Sequence, residues 1–318
     1  MFRKTTVILL FITIGVIYSC GSKQAAPIDL YPNFEFAVAY SESVTEETEP
    51  VVPTRAEIVM RAITDAYPDV IENCEFRNDD WAVLLRGTWY YFAGGRLLPE
   101  SHIEKTEEYR SYQFYNYPEE LPPWKQHSPE EIERFKTWTT ARSQSTIRRA
   151  DFFLNALWQA NTRTETENKM ARFNFLGRPV RLHHLLREKM TTIETQIRDA
   201  AKTDSQVQVW IDSLGPLSGY AWRDIADTRS RSYHSYGIAV DLLPRSLVGK
   251  QAYWYWTSQY RADWWNVSYN ERYHPPAVVI RIFEDNGFIW GGKWTLFDTM
   301  HFEYRPEILM LSGRTPER

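Results

Sequence analysis

Two stretches of this chain hold the side-chain types that hydrolyse amides with a metal: Ser232-Tyr233-His234-Ser235-Tyr236-Gly237-Ile238-Ala239-Val240-Asp241 and, further along, Asp298-Thr299-Met300-His301-Phe302-Glu303-Tyr304. A catalytic zinc takes three protein ligands, typically imidazole and carboxylate, and keeps a fourth position for water. Neutral His234, ionised Asp241 and neutral His301 make up such a set. A bend at Gly237 lets two ligands on either side of it converge, and the small Ala239 leaves room behind the site. Asp298, three residues before His301, can lie beside the zinc-bound water as a base that does not itself bind the metal. One histidine in a strand is usually structural; two histidines and an aspartate at these spacings favour Zn2+.

These segments resemble the VanY-like zinc D-alanyl-D-alanine carboxypeptidase family, which also contains L-alanyl-D-glutamate endopeptidases of peptidoglycan. Its Ser-x-His-x-x-Gly-x-Ala-x-Asp motif is met by Ser232, His234, Gly237, Ala239 and Asp241. Its second motif, an acid three residues before a His-Phe-Glu triplet, is met by Asp298, His301, Phe302 and Glu303, and Gly287 to Trp294 resembles the approach to it. The resemblance covers roughly Phe173 to Pro306. It implies His234, Asp241 and His301 as zinc ligands and Asp298 as general base. It also implies that Arg223, closing Ser218-Gly219-Tyr220-Ala221-Trp222-Arg223, polarises the scissile carbonyl. An Asp at the base position is similar to the endopeptidase branch, with peptidoglycan stem peptides as substrate. Glu303 shares a strand face with His301 and is placed to fix its imidazole, while Ser232 bonds substrate or backbone near the metal. Two other readings stay open: a D,D-carboxypeptidase, and a catalytically silent wall-binding lipoprotein.

The elements that must position these residues predict an α+β fold. The C-terminal zinc-peptidase domain has a small antiparallel sheet flanked by helices, preceded by a smaller α+β N-terminal region. Thr54 and Glu57 have capping-box spacing before an apolar helical face that Pro68 ends, and Trp81 to Phe92 reads as a hairpin about Arg86-Gly87. Ser128, Pro129 and Glu131 open a helix, and 147–160 continues helical. Leu182, Leu185, Leu186, Ile193 and Ile197 predict a long helix carrying His183 and His184 as ordinary residues; His102, His127 and His274 fall in loops. Val207, Val209 and Ile211 alternate like a strand, and a helix spans Pro276 to Asn286. The aromatic stretch from Tyr253 to Tyr273 reads mostly as packing, with one or two rings in a groove. The expected boundaries are 1–19 signal peptide, 20–53 tether, 54–165 N-terminal region of unknown role, and 170–318 peptidase domain.

Arg3 and Lys4 precede an apolar run from Val7 to Tyr18 that is too short to cross about 30 Å of hydrocarbon, so it reads as an export signal. Ile17-Tyr18-Ser19-Cys20 resembles a bacterial lipobox, implying lipidation at Cys20 and a membrane-anchored body facing the periplasm or cell wall. Gly21 to Pro53, with Glu42, Glu46, Glu47 and Glu49, reads as a solvated tether. The remaining cysteine, Cys74, reads as a buried hydrophobe. Lys plus Arg total 37 against 41 Asp plus Glu, a net charge of −4 that becomes −6 on loss of Arg3 and Lys4. That balance excludes the cationic footprint of a nucleic-acid binder.

Overall fold

A computed structural model describes residues 52–225 and 228–317. The expected signal peptide, Cys20 and all but the end of the expected tether lie outside the described residues. The fold is α+β, with small antiparallel sheets and helices distributed along the chain.

Helix α1 (Arg55–Ala66) starts where the Thr54 side chain accepts the Glu57 N–H, and it buries Val59, Met60, Ala62 and Ile63. An antiparallel meander follows: β1 (Ile71–Arg77), β2 (Asp80–Leu85), β3 (Thr88–Tyr91) and β4 (Leu98–Pro99). The β2–β3 turn falls at Arg86-Gly87, both with positive φ, as the hairpin pattern requires. Cys74, in β1, is half-buried against the core rather than sealed within it. Strand β5 (Tyr109–Arg110) precedes α2 (Pro129–Gln144), whose Ser128–Glu131 capping box is complete.

The expected helix over 147–160 is instead divided. Strand β6 (Arg148–Arg149) pairs in parallel with β5, and α3 (Phe152–Trp158) begins only after Asp151. Helix α4 (Arg163–Lys169) leads into the hairpin of β7 (Met170–Phe175) and β8 (Arg178–His183). That hairpin absorbs Leu182 and His183, so the long helix α5 (Arg187–Thr203) starts later than its periodicity suggests. The expected strand at Val207 to Ile211 is helix α6 (Ser205–Ser213), capped by Asp204. Val207, Trp210 and Ile211 are buried at helical spacing while Val209 is exposed; five residues are too few to separate the two periods.

Strand β9 (Ala239–Asp241) is followed by α7 (Trp254–Ser258), α8 (Ala277–Asp285), β10 (Phe288–Trp290), β11 (His301–Tyr304) and α9 (Pro306–Leu311). The sheet order is β10-β11-β9, antiparallel throughout. Alternation in β11 buries Phe302 against Phe283, their rings stacked 4.2 Å apart, and turns His301 and Glu303 to the other face. A second, small cluster gathers Trp254, Trp264, Val267 and Phe297.

One hydrophobic core runs from Val59 to Leu309, so the region before 165 is packed into the region after 170. Helix α1 lies against α9, and the Tyr67 hydroxyl donates to Glu307 at 2.8 Å. Tyr117 Oη accepts from Trp290 N at 2.9 Å, and Trp294 Nε1 donates to Tyr115 Oη at 2.8 Å.

Gly237 has φ +69, and a Cβ there would meet Met170 and lie 2.7 Å from the His183 backbone nitrogen. Left-handed strain and overpacking add, so Gly237→Ala should lower stability by about 2–4 kcal/mol, read by urea unfolding. His183 is buried with Nε2 3.1 Å from the Trp158 carbonyl, and burial lowers its pKa from 6.5 to about 4. The unfolded chain therefore takes up this proton first, and stability present above pH 6.5 is lost as pH falls towards 4. Between pH 7.5 and 4.5 the wild type should lose about 2–3 kcal/mol more than His183→Gln in urea titrations.

Candidate metal centre

The β9–β11 register sets two of the expected ligands side by side: His301 pairs directly with Asp241, and Glu303 pairs with Ala239. Cross-strand partners share a face, so the carboxylate and imidazole meet without any further device. His234 arrives from a different element, a single 3-10 turn at Tyr233–Tyr236. The Ser232 hydroxyl caps that turn by accepting the His234 N–H at 3.3 Å, and Gly237 ends it in the left-handed region. Ser232 thus holds backbone beside the site. Ser235 ties the turn to the preceding loop, its hydroxyl donating to Arg223 O at 2.6 Å and accepting Arg223 N at 2.8 Å.

The ligand atoms converge. His234 Nε2 lies 3.2 Å from Asp241 Oδ1 and 3.2 Å from His301 Nδ1, and His301 Nδ1 lies 3.0 Å from Asp241 Oδ1. A tetrahedron with metal–ligand bonds of about 2.0–2.1 Å has edges of about 3.3–3.4 Å. The far nitrogens are also committed: His234 Nδ1 is 2.7 Å from Gly219 O, and His301 Nε2 is 3.1 Å from Glu303 Oε2. An outward proton on each imidazole, given to these oxygens, would turn a lone pair inwards, the tautomer that metal ligation needs. The three donor atoms lie close enough together to hold a metal ion, and the donor set fits one.

The electrostatics follow from that crowding. Burial would raise the Asp241 carboxyl, but the two imidazoles beside it outweigh burial and hold it well below the ordinary carboxylate range. Burial would lower His301, but hydrogen bonds to Asp241 and Glu303 raise it well above its ordinary value. A proton and a metal therefore compete for the same position, and metal binding displaces the proton. Asp298 is different. Burial pushes its carboxyl up to about 7, Asp241 and Glu303 add to the rise, and His301 and Arg223 oppose it. Its Oδ1 is enclosed and has no hydrogen-bond partner among the described residues.

Behind the centre runs a buried polar chain. Arg305 contacts Glu303 at 3.4 Å, pairs with Glu307, and donates to Tyr233 Oη at 2.6 Å. Through Glu307 this chain reaches Tyr67 at the end of α1. Arg305 follows directly after strand β11, at the cap of α9, and no motif marked it.

A cavity of about 650 Å³ opens over the centre and is lined by every expected site residue among the described ones: Arg223, Ser232, His234, Asp241, Asp298, His301 and Glu303. Arg223 is exposed, and its charge acts on Asp298 and Tyr253. Tyr253, Trp254, Tyr255 and Trp256 also line this cavity, so more of the aromatic stretch reaches the groove than the one or two rings expected. Arg110, Arg142, Arg149 and Tyr115 reach it too. No local pattern announced them, because their neighbours in the cavity are distant in sequence.

Residues 226–304 match the family model described as D-alanyl-D-alanine carboxypeptidase. Residues 59–114 match a model described as a domain of unknown function. No curated protein and no solved structure matches the chain. The three converging donors and Asp298 all lie inside the first of these spans, so the match covers the candidate centre.

Proposed function

We propose that this chain is a zinc-dependent peptidase that hydrolyses an amide bond in peptidoglycan stem peptides, with L-alanyl-D-glutamate endopeptidase specificity. Its body is exported and tethered to a bacterial membrane by lipid on Cys20. The observation that carries the catalytic reading is the approach of His234 Nε2, His301 Nδ1 and Asp241 Oδ1 to 3.0–3.2 Å beside an enclosed carboxylate. Two imidazoles and one carboxylate are the donors of a catalytic zinc site. Export supports the substrate assignment, since peptidoglycan lies outside the cytoplasm.

Zinc held by these residues supplies Lewis acidity and lowers the pKa of water to about 7. Asp298, whose carboxyl burial brings near neutrality, accepts a proton from the attacking water and returns it to the leaving amine. Arg223, whose charge reaches Asp298 across the cavity, donates to the oxyanion that forms on the scissile carbonyl; such a donor contributes about 10²–10³-fold in rate. Glu303, backed by Arg305, and the Gly219 carbonyl keep both imidazoles in the ligating tautomer. The description of the matched family favours a second reading, removal of a terminal D-alanine by the same groups. A silent wall-binding protein would have no use for the complete set of ligands and base.

Asp298→Asn should keep its bound zinc, measured by atomic absorption, and lose cleavage of purified sacculi by about 10²-fold or more. Cleavage at the wild-type rate would remove Asp298 from the reaction. Mass spectrometry of the wild-type digest separates scission after L-alanine from loss of one terminal D-alanine. Chelation should abolish cleavage and zinc readdition restore it; activity that persists after complete metal removal would overturn the zinc assignment.

A further inference from the structure

The region before 165, which the peptidase match does not reach, builds part of the cavity wall, and none of the lining residues it contributes is acidic. Its main feature is a pair of arginines. Strands β5 and β6 run parallel with Arg110 in register with Arg149, so both side chains project from the same face, and both line the cavity. Arg149 is only 7% exposed, its guanidinium held between the rings of Tyr112 and Tyr233 at 5.0 and 4.6 Å. One of its amines donates to Arg231 O at 2.7 Å, while its Nε has no partner.

Neither Arg110 nor Arg149 forms an ion pair among the described residues. The acids whose fields reach Arg149 are otherwise engaged: Glu303 binds His301 and Arg305, and Asp151 accepts the Tyr236 hydroxyl at 3.1 Å. Arg149 is buried and Arg110 half-buried, and buried charge is ordinarily paired. The pair also has a fixed relation to the metal centre. Arg149 stacks on Tyr233, Tyr233 accepts from Arg305, and Arg305 contacts Glu303, the partner of His301.

We infer that Arg110 and Arg149 form a carboxylate subsite that binds a free carboxylate of the substrate peptide, which makes the N-terminal region the specificity element of the cleft. The inference rests on the peptidase reading for the peptide nature of its ligand. Paired guanidiniums present several donors to one carboxylate, and such charge-assisted contacts are strong where water is excluded. The cavity, about 650 Å³, is large enough to hold a short peptide across both the metal centre and this pair.

The test uses the full-length, zinc-loaded chain and a synthetic stem tetrapeptide, L-Ala-γ-D-Glu-diaminopimelate-D-Ala, with versions in which each carboxylate in turn is a primary amide. One amidated peptide should lose about tenfold or more in kcat/KM, mainly through KM. Arg110→Gln should lose a similar factor on the acidic peptide and nothing further on that amide, and Arg110→Lys should recover part of the loss. Equal losses on acid and amide, or no sensitivity to any amidation, would overturn the subsite while leaving the peptidase reading in place. If no peptide is cut, the same peptides are titrated by tryptophan fluorescence. Binding that favours the acid and depends on Arg110 upholds the subsite and sinks only the peptidase reading; binding indifferent to both overturns the subsite.

Discussion

The pairing of His301 with Asp241 across β9 and β11 is the constraint from which the rest of the centre follows. A slip of one residue in that register would send His301 into the core beside Phe283 and bring Phe302 out to the metal. The register is held because the opposite face is hydrophobic: Phe302 and Val240 are fully buried, and Trp290 pairs with Phe302 from the other side. Burial of the apolar face therefore aims the polar one. The polar groups then reinforce it, since Glu303 meets both His301 and Arg305 with this face turned inward.

The third ligand depends on a different kind of support. His234 sits on one short turn, and three local devices fix it: the Ser232 cap, the left-handed Gly237, and the Gly219 carbonyl on its Nδ1. Gly219 itself lies where a Cβ would strike the Arg181 carbonyl, so the backbone can approach only because no side chain intervenes. A rigid sheet supplies two ligands, and a braced loop brings the third to them. Arg223 is tied to the same turn through Ser235, which places the proposed oxyanion donor and the third candidate ligand on one support.

The N-terminal region is part of this assembly rather than an appendage. Tyr67, Tyr115 and Tyr117 hydrogen-bond to the peptidase region, α1 packs on α9, and the β5–β6 ladder adds arginines to the cavity. Its own match is to a domain of unknown function, and it shares one core with the region that follows. The cavity consequently has a part lined by the candidate metal ligands and a cationic part, supplied by stretches of chain distant in sequence.

The stretch that carries His234 and Asp241, the stretch that carries Asp298, His301 and Glu303, the caps at Thr54 and Ser128 and the hairpin turn at Arg86-Gly87 were all legible in the sequence. Each is encoded over ten residues or fewer, where side-chain spacing and backbone period are directly related. Short segments with ambiguous periods were not legible: Val207 to Ile211 is a helix because tertiary packing buries Val207, Trp210 and Ile211 together, and His183 is a strand end because β7 pairs with it. Nor could Arg110, Arg149 and the linkage from Tyr67 to His301 be found there. Those contacts are made only when one core closes around both regions, and no local preference encodes a meeting between segments so far apart.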